Sequence, residues 1–173
     1  MKGKRFNAQE VQAIIAGNKT MFREVIKKTE DKIENYSLPD RCGTELLLSE
    51  CPYQVGQKIF VKESFREHAF CKHHYKADDE ERKWGIGSIT KNFLPAKHMK
   101  QEHSRLTLEI TDIKVERLKE IDIKDVYKEG LPNHRIGQTF MWFEEHWNST
   151  HKKPEEKFEA NPWVWVVDFK INK

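Results

Sequence analysis

The chain lacks the features of a secreted or membrane-spanning protein. Its N-terminal residues contain no apolar segment of the signal-peptide kind, and no apolar run approaches the roughly eighteen residues that a transmembrane helix requires. Cysteine is scarce as well, because the three cysteines include no Cys-x-x-Cys pair, which predicts reduced thiols and not a disulfide framework. We therefore expect a cytoplasmic protein that has no membrane partner.

A large excess of one charge is also missing. Charged residues make up 34% of the 173 residues, yet the formal net charge is only +3. Attraction for nucleic acid therefore requires a local basic surface. The tract from His68 to His74 includes Cys71 and further histidines, but the chain has no second pair of ligands at zinc-finger spacing. We predict neither a metal site nor a cofactor.

Three helices are predicted from their end signals and amphipathic spacing. The first begins at Asn7, with Glu10 three residues later, which is the spacing of a capping box. The second begins after Asp122 and ends at Gly130, a residue suited to the left-handed end of a helix. The third covers 137–148, where aromatic residues recur at helical spacing and predict a buried face.

Alternating apolar residues predict the strands. The longest strand is expected at 104–115, with a slip of phase at Asp112 of the kind that a bulge causes. A buried strand is expected at 58–65, a short one at 46–48, and a closing strand at 162–171, which is almost continuously β-branched or aromatic. Four to six strands interleaved with short helices predict one α+β domain over residues 1–173, built around a small mixed β-barrel, with an irregular insertion at about 66–103.

The candidate binding segment follows the first helix. Gly17 suits a helix end, and Lys19 and Arg23 come directly after it. In a tight helical turn Lys19, Phe22 and Arg23 share a face, whereas in an extended segment Lys19, Met21 and Arg23 do. In both conformations the two cations converge, either as anchors for a phosphate or carboxylate or as ordinary solvated surface charges.

Seven blocks in order along the chain resemble one known family. They are the segment 17–23 after the opening helix, 55–64, 75–78, 95–99 leading to 104–106, 115–118, 129–130 and 161–166. In these blocks the chain resembles the ASCH domain family, which belongs to the PUA-like superfamily of small β-barrels. The similarity is to the longer version that is common in bacteriophage and prophage genomes, and it covers nearly the whole chain.

The resemblance implies a PUA-like barrel that binds RNA or a nucleotide-like ligand in a cleft beside the Gly-x-Lys segment. Some family members are amidohydrolases that remove the acyl group of N4-acetylcytidine, using a Lys, a Thr three residues later and a Glu. These positions correspond here to Lys19, Phe22 and Glu129. Because phenylalanine supplies no nucleophile, catalysis would have to use Thr20 or a water activated by Glu129.

Further ligand contacts are expected from the blocks that resemble the family. Ser104 and Arg105 are candidates for contact with a phosphate or a base edge, the alternative being an ion pair at the barrel rim. Tyr75, Trp84 and His98 are candidates for stacking on a base, a contact worth ~1–3 kcal/mol, with core packing as the alternative. The predicted function is RNA or nucleotide binding in a protein of phage or prophage origin. The alternatives are an amidohydrolase acting on N4-acetylcytidine-like nucleosides and a module that only binds other proteins.

Overall fold

The computed structural model describes residues 1–27, 45, 47–66, 73–79, 93–132 and 137–172. The chain groups into two compact units. The first unit comprises Met1–Gly17, Lys58–Glu109 and Lys170–Lys173, and the second comprises Asn18–Gln57 and Ile110–Phe169. Trp84, Cys42 and Cys71 lie outside the described residues, as does most of the irregular insertion. The expectation of a single domain stays a prediction.

Five strands form one mixed sheet: β1 (Lys2–Arg5), β2 (Met21–Val25), β3 (Lys58–Lys62), β6 (Thr107–Arg117) and β7 (Trp163–Asn172). Their order across the sheet is β1, β3, β6, β7, β2. β1 is parallel to β3, whereas the pairs β3–β6 and β2–β7 are antiparallel. β4 (Phe65–Arg66) and β5 (His74–Tyr75) form a separate two-stranded sheet. The predicted α+β class is confirmed, with the longest strand in the middle of the sheet, while closure into a barrel stays a prediction.

The α-helices are α1 (Ala8–Ile15), α2 (Lys76–Asp79), α3 (Ile123–Lys128) and α4 (Thr139–Thr150). Side-chain caps fix the start of α1 and of α3. The predicted capping box of α1 is present, with the Glu10 amide donating to Asn7 Oδ1 at 2.9 Å and the Asn7 amide to Glu10 Oε2 at 2.8 Å. Gly130 ends the turn after α3 with φ of 93°. Within the described ranges, no helix combines the length and apolarity needed to cross a membrane.

The first unit buries apolar residues of both its first helix and its strands. Val11 and Ile14 of α1 and Ile59 of β3 are fully buried. The Gln12 side-chain amide donates to the Ala77 carbonyl at 2.7 Å, which ties α1 to α2.

The second unit has a core of its own between β2, β7, α3 and α4. Its buried residues are Met21, Val25, Leu118, Ile121, Val126, Leu131, Phe143, Trp147, Val164 and Val166. The predicted third helix is therefore present, and Phe143 and Trp147 of its aromatic face pack in the core, whereas Phe140 is 49% exposed. The predicted strand at 46–48 is wrong, because residues 45 and 47–49 are helical. There the Leu47 carbonyl accepts a hydrogen bond of 3.2 Å from Trp165 Nε1.

Candidate functional site

Backbone pairing brings Lys19 next to Glu129 in the second unit. The two residues form an isolated antiparallel bridge. The amide of Thr20 donates to the Lys128 carbonyl at 2.8 Å, which continues the pairing on one side. Glu129 is the C-cap residue of α3, and Gly130 turns the chain away from the bridge. The end of a helix therefore holds the carboxylate, and the chain entering β2 holds the amine.

The carboxylate of Glu129 is shared by two buried cations. Lys19 Nζ lies 2.8 Å from Glu129 Oε2 and donates to the Glu129 carbonyl at 3.0 Å. Arg23 Nη1 lies 2.8 Å from Glu129 Oε1. The side chains of Lys19, Arg23 and Glu129 are 1%, 0% and 6% exposed. The predicted convergence of Lys19 and Arg23 is thus present, and both point at a carboxylate of the chain itself.

Arg23 has two further carboxylate partners. Its Nη2 atom lies 2.8 Å from Glu116 Oε1 and 2.9 Å from Asp125 Oδ2. Its Nη1 atom lies 3.3 Å from Met21 Sδ, and its guanidinium carbon lies 5.7 Å from the centroid of the Phe143 ring. Because Met21 and Arg23 share a face of β2, the extended alternative for this segment is the correct one.

Lys114 completes the network on its solvent side. Lys114 Nζ lies 2.9 Å from Asp125 Oδ2 and 3.1 Å from Glu116 Oε2. Its side chain is 44% exposed, whereas that of Glu116 is 12% exposed. We call this network the ion cluster; its members are Lys19, Arg23, Lys114, Glu116, Asp125 and Glu129. Three positive and three negative side chains make it formally neutral.

The pKa values of the ion cluster follow the balance between burial and pairing. Burial opposes the charge of Arg23, but the carboxylates of Glu129 and Glu116 outweigh it and raise the pKa of the guanidinium. Burial likewise opposes ionisation of Asp125, yet the hydrogen bond from Lys114 and the charge of Arg23 lower the pKa of this carboxyl. Mutual pairing therefore favours the charged form of both side chains.

Phe22 lies away from the ion cluster. It alternates with Met21 and Arg23 along β2, so its ring is on the opposite face of the strand. The ring is 3% exposed and packs at 5.4 Å from the Tyr53 ring and 6.0 Å from the Phe169 ring. Of the three amidohydrolase positions that the resemblance implies, the structure brings together Lys19 and Glu129 and separates position 22 from them.

A second group of candidate residues lies in the first unit, around Arg105. Its guanidinium binds Glu63 through two contacts of 2.9 and 3.0 Å and lies 2.9 Å from Asp78 Oδ1. It also stacks over the Tyr75 ring at 4.1 Å, while the Tyr75 hydroxyl donates to the His103 carbonyl at 3.0 Å. Burial raises the pKa of the Glu63 carboxyl, and the bidentate Arg105 opposes this rise. Tyr75 and Arg105, both predicted ligand contacts, therefore touch each other.

The other predicted contacts of the first unit are more dispersed. Ser104 Oγ lies 2.8 Å from the Val61 carbonyl oxygen, so its hydroxyl joins two backbone segments. His98 ends the short 3-10 helix Ala96–His98 and is exposed. The predicted stacking residue Trp84 lies outside the described residues.

The sequence-based prediction missed Glu116 and Asp125 as partners of Arg23, and it missed Lys114 as a partner of these two carboxylates. A signal for them exists, because period two places Lys114 and Glu116 on one face of β6. Helical spacing likewise places Asp125 one turn before Glu129. These spacings show that each pair shares a face of its own element, but they do not show that both pairs meet β2.

Comparison with known proteins gives similarity of fold only. No protein-family model matches the chain, and neither does any curated protein. Among solved structures, the chain is similar to an ASCH domain from Lactobacillus crispatus JV V101, with a TM-score of 0.48, 14% identity and coverage of 98% of this chain and 78% of that one. It is also similar to a protein of Enterococcus faecalis V583 described under the family DUF984, with a TM-score of 0.42, 11% identity and coverage of 99% and 80%. At such low identity, function is inferred from the side chains of this chain.

Proposed function

We propose that the chain binds RNA or a nucleoside-like ligand, and that the ion cluster of the second unit makes hydrogen bonds to a base. The resemblance of its sequence to ASCH domains supports this class of ligand. The observation that carries the proposal is the buried carboxylate of Glu129 shared between Lys19 and Arg23. Removing charges from water costs free energy even when they are paired. Arg23 and Asp125 are buried and have shifted pKa values, and groups of this kind concentrate at functional sites.

The charge balance favours a base over a phosphate at this site. The guanidinium donors of Arg23 already bind the carboxylates of Glu116, Asp125 and Glu129, and these negative charges would repel an approaching phosphate. A nucleobase carries no net charge and presents both donors and acceptors at its edge. A neutral cluster that offers both kinds of group therefore suits a base edge, and Lys19, Arg23 and Glu129 are its proposed contacts.

Access to the cluster runs along its solvent edge. Lys114 is its most exposed member, and Glu116 lies between Lys114 and Arg23. A ligand donor can exchange with the Lys114 amine at Glu116 before the base reaches Arg23 and the Lys19–Glu129 pair. We therefore expect Lys114 and Glu116 to be the first side chains that a base meets.

The experiment is a calorimetric titration with cytidine, N4-acetylcytidine and a single-stranded RNA. Glu116→Gln and Lys114→Met should weaken nucleoside binding, with little change when salt is raised. Lys119→Met is the matched control, because Lys119 is in the same unit, is 40% exposed and pairs only with the exposed Glu159 among the described carboxylates. Absence of binding to all three ligands would show that the ion cluster only stabilises the fold.

An amidohydrolase acting on N4-acetylcytidine-like nucleosides is the second candidate. It is favoured by the contact of 2.8 Å between Lys19 Nζ and Glu129 Oε2, an amine and a carboxylate at two of the positions that the resemblance implies. Thr20, directly after Lys19, alternates to the other side of the extended chain. Chromatography of cytidine released from N4-acetylcytidine tests this candidate, and we expect slow release at most. Fast release would assign the nucleophile to Thr20 or to a water activated by Glu129.

A cytoplasmic location and an origin in a bacteriophage or prophage are part of the same proposal. They are supported by the three cysteines without a Cys-x-x-Cys pair, which fit a reducing compartment, and by the resemblance to the longer family version. Both are tested by the genomic neighbourhood of the coding sequence and by fractionation of cells that express it.

A further inference from the structure

The sheet of the first unit carries positive side chains on one face of β1 and β3. In the parallel pairing, Gly3 lies opposite Phe60 and Arg5 lies opposite Lys62. A Cβ at Gly3 would come within 2.6 Å of the Phe60 ring and 2.7 Å of Lys62 Cδ, so these side chains lie over the glycine. Because side chains alternate along a strand, Arg5 shares this face with Gly3, and Lys58 shares it with Phe60 and Lys62.

This basic face is defined as Arg5, Lys58, Lys62 and Lys170, and among the described residues it carries one carboxylate. Glu109 lies opposite Lys58 in the β3–β6 register, and its Oε1 atom is 3.1 Å from Lys170 Nζ. Lys62 donates to the carbonyl of Lys97 at 3.0 Å, so its amine is held by a neutral acceptor. Arg5 and Lys58 are exposed, and among the described residues neither is ion-paired. Four cations against one carboxylate leave the face positively charged.

The ion cluster and the basic face thus use positive charge differently. In the ion cluster Lys19 and Arg23 are buried and neutralised by carboxylates of the chain. On the basic face Arg5 and Lys58 keep their charge in contact with water. Only exposed cations without internal partners release bound counterions from a polyanion when they meet it.

We propose that the basic face binds the phosphodiester backbone of single-stranded RNA, an inference that rests on the function proposed above. Lys58 and Lys62 are four residues apart on β3, about 13 Å along the strand, and therefore meet different phosphates. Arg5 lies on the neighbouring strand about 4.8 Å from Lys62 in Cα position, near enough to approach the same phosphate. The arginine supplies a planar fork, and the lysines supply point charges.

A membrane surface fits the basic face less well than RNA does. Proteins that lie on bilayers combine cations with apolar side chains that enter the lipid. The aromatic residue of this face, Phe60, is 7% exposed and lies under Lys62, whose Nζ is 5.8 Å from the ring centroid. The face therefore presents cations to the solvent and keeps its apolar ring covered.

The test is fluorescence anisotropy with a labelled single-stranded oligouridine, titrated at several salt concentrations. The double variant Arg5→Gln/Lys58→Gln should bind more weakly, and the slope of log affinity against log salt should fall by about 0.7, because the phosphate at Lys58 is no longer neutralised whereas Lys62 still neutralises the one that it shares with Arg5. Lys62→Gln added to it should lower the slope by about 0.7 more. The matched control is Lys124→Gln/Lys157→Gln, which removes the same charge from exposed positions of the second unit.

Each outcome decides the proposal. An unchanged slope in the basic-face variant, or an equal decrease in the control, would overturn it. Binding of anionic phosphatidylserine vesicles that needs Arg5 and Lys58, without RNA binding, would also overturn it and assign the face to a membrane. If the basic-face variant still binds cytidine while its RNA affinity is unaltered, this inference fails and the proposed function stands. If the wild type binds neither cytidine nor RNA, both this inference and the proposed function fail.

Thermal denaturation of each variant checks that it is folded, and Lys58→Arg should restore the affinity that Lys58→Gln removes.

Discussion

Glu129→Gln should lower the free energy of unfolding by about 3–5 kcal/mol, the usual cost of breaking a buried ion pair on one side. Glutamine keeps the volume and one acceptor oxygen of the side chain, so the change removes mainly the charge. Lys19 and Arg23 then lose a charged partner, and water does not replace it because their side chains are at most 1% exposed. Arg23 remains paired with Glu116 and Asp125, so most of the cost should fall on Lys19.

A double-mutant cycle with Lys19→Met isolates that interaction. In the double variant no buried amine is left without its carboxylate, so part of the stability should be recovered, with a coupling energy of about 1–3 kcal/mol. Urea unfolding at neutral pH measures it, and the denaturant slope should stay constant. Glu159→Gln is the control, because Glu159 is 76% exposed and its pair with Lys119 should contribute less than about 1 kcal/mol. A Glu129→Gln variant as stable as the control, or an additive cycle, would refute the reasoning.

Three further predictions concern other side chains of the two units. Burial opposes ionisation of Asp125, but the hydrogen bond from Lys114 holds the pKa of this carboxyl below its ordinary 3.8. The ionised carboxylate therefore stabilises the fold fully above the pKa of the unfolded chain, and this stabilisation is lost as the pH falls through the lower pKa of the folded state. The stability difference between wild type and Asp125→Asn should therefore be constant above about pH 5 and shrink below about pH 4 in urea titrations; a difference independent of pH would contradict it. Phe22→Thr should cost about 3–5 kcal/mol and gain no deacylation, because position 22 faces aromatic packing and not the ion cluster, and cytidine release by this variant would show otherwise. Arg105→Lys keeps the charge but removes the fork that binds Glu63, so it should cost about 1–3 kcal/mol, and an unchanged melting temperature would argue against this.

Features that depend on a few neighbouring residues were predictable from the sequence. The Asn7–Glu10 capping box and the Asp122 cap of α3 each need two side chains and one turn of backbone. The strand at 107–117 was predictable for a similar reason, since burial alternates through Leu108 and Ile110 before two exposed residues mark the predicted slip. In these segments local propensity and tertiary packing favour the same conformation.

At residues 46–48, by contrast, local propensity did not predict the conformation that tertiary contacts stabilise. Three successive leucines fit a short strand and a helical turn equally well, so periodicity does not decide between them. The hydrogen bond between the Leu47 carbonyl and Trp165 Nε1 joins residues 118 positions apart, and it belongs to a helical turn. A contact of that sequence separation leaves no trace in the local pattern.

Only part of the candidate site was predictable, because some of its contacts also join residues that are far apart in the sequence. The convergence of Lys19 and Arg23 follows from their spacing, and Glu129 was reached through the family resemblance. The other partners of Arg23, Glu116 and Asp125, lie 93 and 102 positions away, so spacing within β2 contains no information about them. Whether Arg23 meets a phosphate or a carboxylate of the chain itself depends on those distant residues.

Salt dependence separates the two proposed contacts in one protein. Charges that are buried and internally paired are screened little by salt, so base binding at the ion cluster should have nearly the same affinity at low and high salt. Contacts between exposed cations and phosphates weaken steeply as salt is raised, because each contact releases counterions and this release is less favourable at high salt. Short RNA should therefore lose affinity with salt until it approaches that of the free nucleoside, and the affinity that remains measures the ion cluster alone. RNA and nucleoside affinities that fall in parallel would mean that both ligands depend on the same exposed cations, and the ion cluster would then have no part in binding.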